Sequence, residues 1–313
     1  TQQGQNVYVG AIRVTFDDAQ STVKKLFADL EFRRAAEERG MRLSSANSIN
    51  FGRLAPQIAY YIYSYGRLVA AREIEAGQKV NFVVPTGNFG NILAAYYAMR
   101  MGLPVNRLIC ASNKNNVLTD FLESGVYMAD REFYKTTSPS MDILISSNLE
   151  RLLFEIVGRD SDRVRQYMGD LNEQGNYRIR QAEKLELDGL FFGGFADEYP
   201  TASTIKNTFA KEGYLMDTHT AVGRTVYLNY KHLMGDDTPT ILAATASPFK
   251  FPQDVLHAIT RERQADAFAA AEELARIAGG EVPEALTKLK KQPVRFTDSL
   301  DKQDMGARIL ENL

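Results

Sequence analysis

A β-branched run and a glycine-containing turn follow one another in Val80-Asn81-Phe82-Val83-Val84-Pro85-Thr86-Gly87-Asn88-Phe89-Gly90-Asn91, and the next residues are Ile92-Leu93-Ala94-Ala95-Tyr96-Tyr97-Ala98-Met99-Arg100. The apolar run predicts a strand, the turn a loop, and the residues after it a helix. Backbone N–H groups at a helix N-terminus lack intrahelical partners, and the helix dipole favours negative charge there. This strand–loop–helix unit therefore predicts a site for a phosphate group.

The residue types in the loop support this interpretation without proving it. Gly87 and Gly90 let the backbone approach a ligand with no Cβ in the way, and Asn88 and Asn91 add side-chain donors. The loop matches neither the GxxxxGK[ST] nor the GxGxxG nucleotide pattern. On the pattern alone, an ordinary βα turn that uses Asn and Gly for conformation and capping explains it equally well.

A second unit of the same kind indicates the fold class. Residues 107–112, which contain the apolar run Leu108-Ile109-Cys110-Ala111, predict a strand. They are followed by a polar loop at 113–116 and a helical segment at 117–124 closed by Gly125. Two successive units predict an α/β protein with a parallel sheet and ligands at the carboxyl ends of its strands. We expect a further helix to begin at Ser138-Pro139 and run through Ile156. Residues 159–211, interrupted at 190–195, resemble a charged helical insertion on the surface, to which we assign no chemistry.

Composition excludes several classes of protein. The net charge of −2 over 313 residues argues against a dedicated nucleic-acid or membrane-surface role. Cys110 is the only cysteine and stands in an apolar run, which indicates a buried strand residue and a reducing, cytoplasmic setting. No apolar run is long enough to span a bilayer. Three scattered histidines give no metal-ligand spacing, and no GxSxG motif supports a serine hydrolase.

A second polar cluster precedes the long helical pattern that starts near Leu54. It contains Asn47, Ser48, Asn50 and Arg53. Uncharged donors beside one guanidinium at a helix start suit an anionic ligand, because Arg binds phosphate or carboxylate bidentately. Further along the chain, His219 follows Asp217 at another predicted helix start, where a capping or structural role is favoured over catalysis.

Four separated blocks closely resemble threonine synthases, in the order in which that family has them. They are residues 47–50 (Asn-Ser-Ile-Asn), 85–91 (Pro-Thr-Gly-Asn-Phe-Gly-Asn), 138–152 (Ser-Pro-Ser-Met-Asp-Ile-Leu-Ile-Ser-Ser-Asn-Leu-Glu-Arg-Leu) and 217–223 (Asp-Thr-His-Thr-Ala-Val-Gly). The resemblance extends from about Val7 to the C-terminal helices.

The resemblance implies a fold-type II enzyme dependent on pyridoxal 5'-phosphate (PLP), similar in architecture to the tryptophan synthase β subunit. Such an enzyme has a twisted, parallel-rich sheet with helices on both faces. It converts O-phospho-L-homoserine and water to L-threonine and phosphate, a step of threonine biosynthesis. We expect residues 1–45 to be a remnant of the small domain and residues 46–313 to be the large, cofactor-binding domain.

The resemblance also assigns site residues. It implies that the cofactor phosphate is bound by Gly87, Asn88, Phe89, Gly90 and Asn91. Thr245 would place its hydroxyl near the pyridine nitrogen, where a group of very high pKa tempers the electron sink and favours elimination over transamination. The residues similar to the family's substrate-phosphate segment are Asn47, Ser48, Asn50 and Arg53.

The sequence departs from the family pattern at several points. Ser247 replaces a histidine, Phe249 a small residue, and Thr218 the usual proline before His219. The family's Schiff-base lysine stands in a Phe-Lys-Asp segment, which this chain lacks. We therefore expect that lysine upstream, no catalytic residue within this chain, and a truncated fragment inactive alone. Another fold-type II lyase, such as a dehydratase, and a non-catalytic paralogue that binds a phosphorylated metabolite stay open.

Overall fold

Residues 6–14 and 16–313 are described here from a computed structural model. The helices are α1 Phe16–Ala28, α2 Leu30–Glu37, α3 Phe51–Leu54, α4 Ile58–Ala70, α5 Gly90–Arg100, α6 Val117–Ser124, α7 Leu149–Ile156, α8 Ser161–Gln174, α9 Gln181–Leu190, α10 Glu198–Glu212, α11 Thr218–Met234, α12 Pro252–Thr260, α13 Ala267–Ala278, α14 Glu284–Lys290 and α15 Met305–Glu311. The strands are β1 Ala11–Ile12, β2 Val80–Pro85, β3 Val105–Ser112, β4 Val126–Met128, β5 Asn176–Arg178, β6 Phe191–Phe195, β7 Thr240–Leu242 and β8 Ser299–Leu300.

These residues fall into two compact units. The larger unit is Asn47–Val282, and the smaller contains the described part of Thr1–Ala46 together with Pro283–Leu313. In the smaller unit, β1 and β8 form a two-stranded parallel sheet. The assignment of residues 1–45 to a small-domain remnant stays a prediction, and its first five residues and Thr15 lie outside the described part of the chain. Pro283–Leu313, which the sequence assigns to the large domain, joins the smaller unit.

A parallel sheet forms the centre of the larger unit, which confirms the predicted α/β class. Its strand order is β6-β3-β2-β7, and every neighbouring pair is parallel. Parallel neighbours require crossover connections, and helices supply them here. All six residues of β2 are buried, as expected of a central strand whose two faces are both covered.

Side chains alternate between the two faces of this sheet. Phe82 and Val84 of β2 pack in one cluster with Ile92 of α5. Val83, between them, packs in a second cluster with Val222 of α11. Since successive strand residues point to opposite faces, α5 and α11 cover opposite sides of the sheet.

Cys110 is a fully buried residue of β3, as the apolar run around it indicates. Burial raises the pKa of its thiol to about 12. The thiol is therefore protonated near neutral pH, and Cys110 is no candidate nucleophile.

Two expectations about local structure are wrong. Residues 191–195 are the edge strand β6, paired with β3, so this part of 159–211 belongs to the central sheet. The helix expected from Ser138 begins only at Leu149, after a single 3₁₀ turn at Pro139–Met141. Ser138, Asp142 and Ser146 are buried polar residues with tertiary hydrogen bonds, and these contacts hold the segment in an irregular conformation.

Among the residues that the structure describes, no helix is both long and apolar enough to cross a membrane. They also contain no group of three or more His, Cys, Asp or Glu side chains arranged to hold a metal ion.

Gly223 is required by the close packing of α11 on the sheet. A Cβ there would lie 2.8 Å from Leu242 Cδ1 and 3.1 Å from Pro85 Cγ. We expect Gly223→Ala to lower the free energy of unfolding by about 1–3 kcal/mol in urea titrations, because overpacking strains the core. The matched control is Gly169→Ala in α8, where a Cβ meets nothing within 4 Å. Equal stability of the two variants would contradict this packing.

Candidate active site

The loop between β2 and α5 has an unusual backbone. Phe89, the N-cap of α5, adopts a left-handed conformation with φ of 62°. A residue with a side chain is held there at a cost of order 1–3 kcal/mol, so surrounding contacts must enforce it. Phe89 is itself buried against the core, where its ring packs near that of Phe191.

Two successive carbonyl groups of this loop are held from one side. Gly87 O accepts a hydrogen bond from Ser146 Oγ at 2.8 Å. Asn88 O accepts from Asn148 Nδ2 at 2.8 Å and from the Asn148 backbone N–H at 3.2 Å. In a planar trans peptide the N–H points away from the preceding carbonyl. The N–H groups of Asn88 and Phe89 therefore face away from residues 146–148.

These N–H groups are available to a ligand. Those of residues 88–91 donate no hydrogen bond to any part of the chain that the structure describes. They lie at the N-terminus of an eleven-residue helix, where the dipole also favours negative charge. Successive N–H groups in such a turn form a concave anion site of the kind that binds phosphate. We refer to residues 87–91 as the anion cup.

The anion cup directly contacts the second polar cluster predicted from the sequence. Asn148 Nδ2 donates to Ser48 Oγ at 2.9 Å as well as to Asn88 O. A Cβ on Gly90 would lie 2.5 Å from Ser48 Oγ, so only glycine allows this approach. The structure therefore places Ser48 beside the cup.

Arg151 fixes the backbone of the same cluster. Its guanidinium donates to Ser48 O at 3.0 Å and to Ile49 O at 2.6 Å, and also contacts Asn148 Oδ1. Every polar atom of the Asn148 side chain is thus used, and the side chain is fully buried. Asn148 and Arg151 together join two segments that lie far apart in the sequence.

The remaining members of the polar cluster have more local contacts. Asn47 Oδ1 accepts from the Ile49 N–H at 3.1 Å, and Asn50 Oδ1 caps α3 through the Gly52 N–H at 3.0 Å. Arg53 lies on α3 with an exposed side chain. The structure therefore brings Ser48 to the cup and gives Asn47 and Asn50 roles in shaping their own segment.

Thr245 and Asn91 line the same cavity of about 360 Å³ beside β7. Tyr61 also lines it and donates its hydroxyl to Asn91 Oδ1 at 2.7 Å. Burial raises the pKa of Tyr61 far above its ordinary value, so the hydroxyl stays a donor. Asn91 Nδ2 makes no hydrogen bond to a described residue and remains a donor for a ligand.

A buried polar network supports the segment around Ser140, which packs against the cup. The Asp142 carboxylate accepts hydrogen bonds from Asn113 Nδ2 at 2.8 Å, Asn115 Nδ2 at 3.1 Å and Thr136 Oγ1 at 2.7 Å. This network fixes the chain just before and after Ser140. A Cβ on Gly87 would lie 2.7 Å from Ser140 O, so this segment packs closely against the cup.

The sequence alone indicates no role for Asn148, Arg151 or Asp142. Asn148 precedes α7 like an ordinary N-cap, yet its side chain makes no capping hydrogen bond to α7. Its partners lie 60 and 100 positions away. All three residues stand in the block 138–152 that resembles threonine synthases, which marks the region, but no local pattern identifies partners so far away.

Known proteins with similar sequences are threonine synthases and threonine synthase-like proteins. Residues 220–307 match the family model for the C-terminal region of threonine synthase. The chain is 40% identical over 261 residues to human threonine synthase-like 1, covering 82% of this chain and 34% of that protein. It is 37% identical over 259 residues to threonine synthase from Corynebacterium glutamicum, covering 81% and 52% respectively. The chain thus spans one third to about half of these relatives.

Solved structures show the same likeness in three dimensions. PLP-bound threonine synthase from Brucella melitensis matches with a TM-score of 0.78 at 37% identity, covering 98% of this chain and 60% of that one. Yeast threonine synthase matches with a TM-score of 0.78 at 30% identity, covering 97% and 59%. The parallel sheet with its covering helices is therefore part of the fold-type II architecture. Within that class, the chain is threonine synthase-like in sequence and in fold.

Loss of the Asn148 side chain tests the link between the two segments. We expect Asn148→Ala to lower the free energy of unfolding by about 1–3 kcal/mol, because it leaves buried polar partners unsatisfied. Chemical denaturation provides the measurement. The control is Asn176→Ala, whose amide makes one exposed hydrogen bond to Gln174 O two residues away. A loss no larger than that of the control would contradict a central role for Asn148.

Proposed function

We propose that this chain is part of a PLP-dependent threonine synthase, which converts O-phospho-L-homoserine and water to L-threonine and phosphate. The observation that carries the proposal is the anion cup. Ser146 and Asn148 hold the carbonyls of Gly87 and Asn88, and N–H groups at the start of α5 are available to a ligand. Sequence and fold similarity to threonine synthases support the choice of cofactor and reaction.

The residues of the cup suit the phosphate of PLP. Gly87, Asn88, Phe89, Gly90 and Asn91 would hold it through backbone N–H groups, with the Asn91 amide as a further donor. A dianion at this position is stabilised by the helix dipole and by hydrogen bonds from N–H groups that have no other partner among the described residues. No lysine or arginine is needed within the cup itself.

Thr245 is the candidate partner for the ring of the cofactor. When bound, PLP supplies an electron-accepting ring that stabilises negative charge on the substrate carbon. Thr245 lines the cavity that Asn91 also lines, which is consistent with a ligand extending from the cup towards β7. A hydroxyl cannot hold a proton on the pyridine nitrogen as a carboxylate would, so it favours elimination.

The segment beside the cup is proposed to bind the phosphate of the substrate. Its residues are Asn47, Ser48, Asn50 and Arg53. Ser48 Oγ is held by Asn148, and the exposed guanidinium of Arg53 carries the positive charge that a departing phosphate requires. The proximity of Ser48 to Gly90 supports a substrate phosphate close to the cofactor.

The proposed activity belongs to a protein that includes a Schiff-base lysine. No lysine of this chain stands in a Phe-Lys-Asp segment, so we expect the 313 residues alone to release no phosphate. A binding protein without catalysis is the second candidate, because human threonine synthase-like 1, whose name claims likeness to the enzyme and not the activity itself, is among the similar proteins.

Phosphate release from O-phospho-L-homoserine distinguishes these functions. We expect release by a protein that joins this chain to an upstream segment containing Phe-Lys-Asp, with PLP added, and none by the chain alone. Borohydride reduction with PLP followed by peptide mapping should label no single lysine of the chain stoichiometrically. If the longer protein releases no phosphate, the binding function is favoured. If the chain alone turns over the substrate, the Schiff-base lysine cannot lie only in an upstream Phe-Lys-Asp segment.

Replacement of Gly90 tests the cup itself. We expect Gly90→Ala to weaken PLP binding at least tenfold, which corresponds to about 1.4 kcal/mol, because the new methyl group displaces Ser48 and the loop. Binding of pyridoxal, which lacks the phosphate, should change much less. Fluorescence titration of both ligands provides the measurement, with Gly169→Ala as control. If the Gly90→Ala chain stays folded but loses affinity equally for both ligands, a phosphate site at this loop is contradicted.

A further inference from the structure

A buried aspartate–histidine pair lies at the N-terminus of α11. Asp217 is the N-cap, and its carboxylate accepts from the backbone N–H groups of His219 at 2.8 Å and Thr220 at 3.3 Å. Asp217 is 1% exposed and His219 is 4% exposed, so both residues are shielded from solvent. The capping role expected from the sequence belongs to Asp217, and His219 has a different one.

The contacts of His219 determine its tautomer. The backbone N–H of Ser140 donates to His219 Nε2 at 3.2 Å, so Nε2 must carry a lone pair. The proton of the neutral ring is then on Nδ1, which lies 3.2 Å from Asp217 Oδ1 and donates to it. Both ring nitrogens are occupied within the protein. His219 is therefore unsuited to act as a general base from this conformation.

Ionisation of Asp217 maintains this arrangement. Burial raises the pKa of Asp217, but hydrogen bonds from His219 and Thr220 outweigh that effect and hold the pKa below its ordinary value. The carboxylate thus stays an acceptor for His219 Nδ1–H near neutral pH. The imidazole ring also packs on Phe251, with 4.8 Å between ring centroids, which restricts its rotation.

Ser140 transmits the position of His219 to the anion cup. Its backbone N–H binds His219, and its carbonyl oxygen lies where a Cβ on Gly87 would be only 2.7 Å away. The Ser140 carbonyl oxygen therefore occupies the space that a side chain at position 87 would fill, and packs against this face of Gly87. The peptide of Gly87 precedes the available N–H groups of residues 88–91.

We propose that Asp217 and His219 form a positioning pair that fixes Ser140 against Gly87 and so holds the anion cup in its phosphate-binding shape. This inference rests on the proposed function, since it takes the phosphate to be that of PLP. The pair acts through Ser140 and touches neither cofactor nor substrate. It explains why a buried histidine stands beside the cup with both ring nitrogens already engaged.

Two replacements of His219 test the proposal. In His219→Gln, the side-chain oxygen can accept from Ser140 N–H in place of Nε2, whereas His219→Leu offers no acceptor. The matched control is His232→Leu, at an exposed position of the same helix. For each variant, hydrogen exchange at the Ser140 amide and the ratio of pyridoxal to PLP dissociation constants are measured in the 313-residue chain.

We expect His219→Leu to speed exchange at Ser140 and to lower the pyridoxal-to-PLP ratio about tenfold, the effect of one lost hydrogen bond. His219→Gln should recover most of both effects, and His232→Leu should match the unmodified chain. A histidine that merely fills the core would leave the ratio unchanged, because binding of both ligands would fall together.

The outcomes separate this inference from the function on which it rests. If the unmodified chain prefers PLP over pyridoxal and His219→Leu keeps the full preference, the positioning role is overturned while the phosphate site stands. If the unmodified chain binds both ligands equally, the phosphate site is contradicted and the inference falls with it.

Discussion

The amide of Asn148 joins two parts of the chain that the proposed chemistry requires side by side. It donates to Asn88 O in the anion cup and to Ser48 Oγ in the proposed substrate segment, while Arg151 contacts its oxygen. Because the amide is buried and its polar atoms are all bonded, it defines one geometry for both segments. The direction of the Phe89 N–H follows from that geometry, since in a trans peptide it points away from the Asn88 carbonyl that Asn148 holds.

The sheet provides the rigid support for this contact. β2 is buried along its whole length and delivers the cup at its carboxyl end, where α5 begins. β7 runs parallel to β2 and leads to Thr245. The cup and Thr245, the two proposed cofactor contacts, therefore both follow the carboxyl ends of neighbouring strands. This is the position at which open parallel sheets bind ligands. Polar networks around Asp142 and Asp217 then hold the irregular segment 136–148 against the cup.

Much of the fold is accessible from the sequence, because it depends on local patterns. The apolar runs of β2 and β3 and the polar loops after them correctly predict parallel units. The strand β6 is missed because its five residues stand between helices and include two glycines. Tight packing explains one of them, since a Cβ on Gly194 would lie 2.7 Å from Val226 Cγ1. The roles of Asn148 and His219 depend on partners 60 to 100 positions away, which no local pattern reveals.

The central claim is that backbone N–H groups at the start of α5 bind the phosphate of PLP. Amide chemical shifts of the isotopically labelled chain, titrated in parallel with PLP and with pyridoxal, test it most directly. We predict large, saturable shifts for the amides of residues 88–91 with PLP and small ones with pyridoxal. Shifts of similar size with both ligands, or shifts confined to residues outside the cup, would contradict the claim.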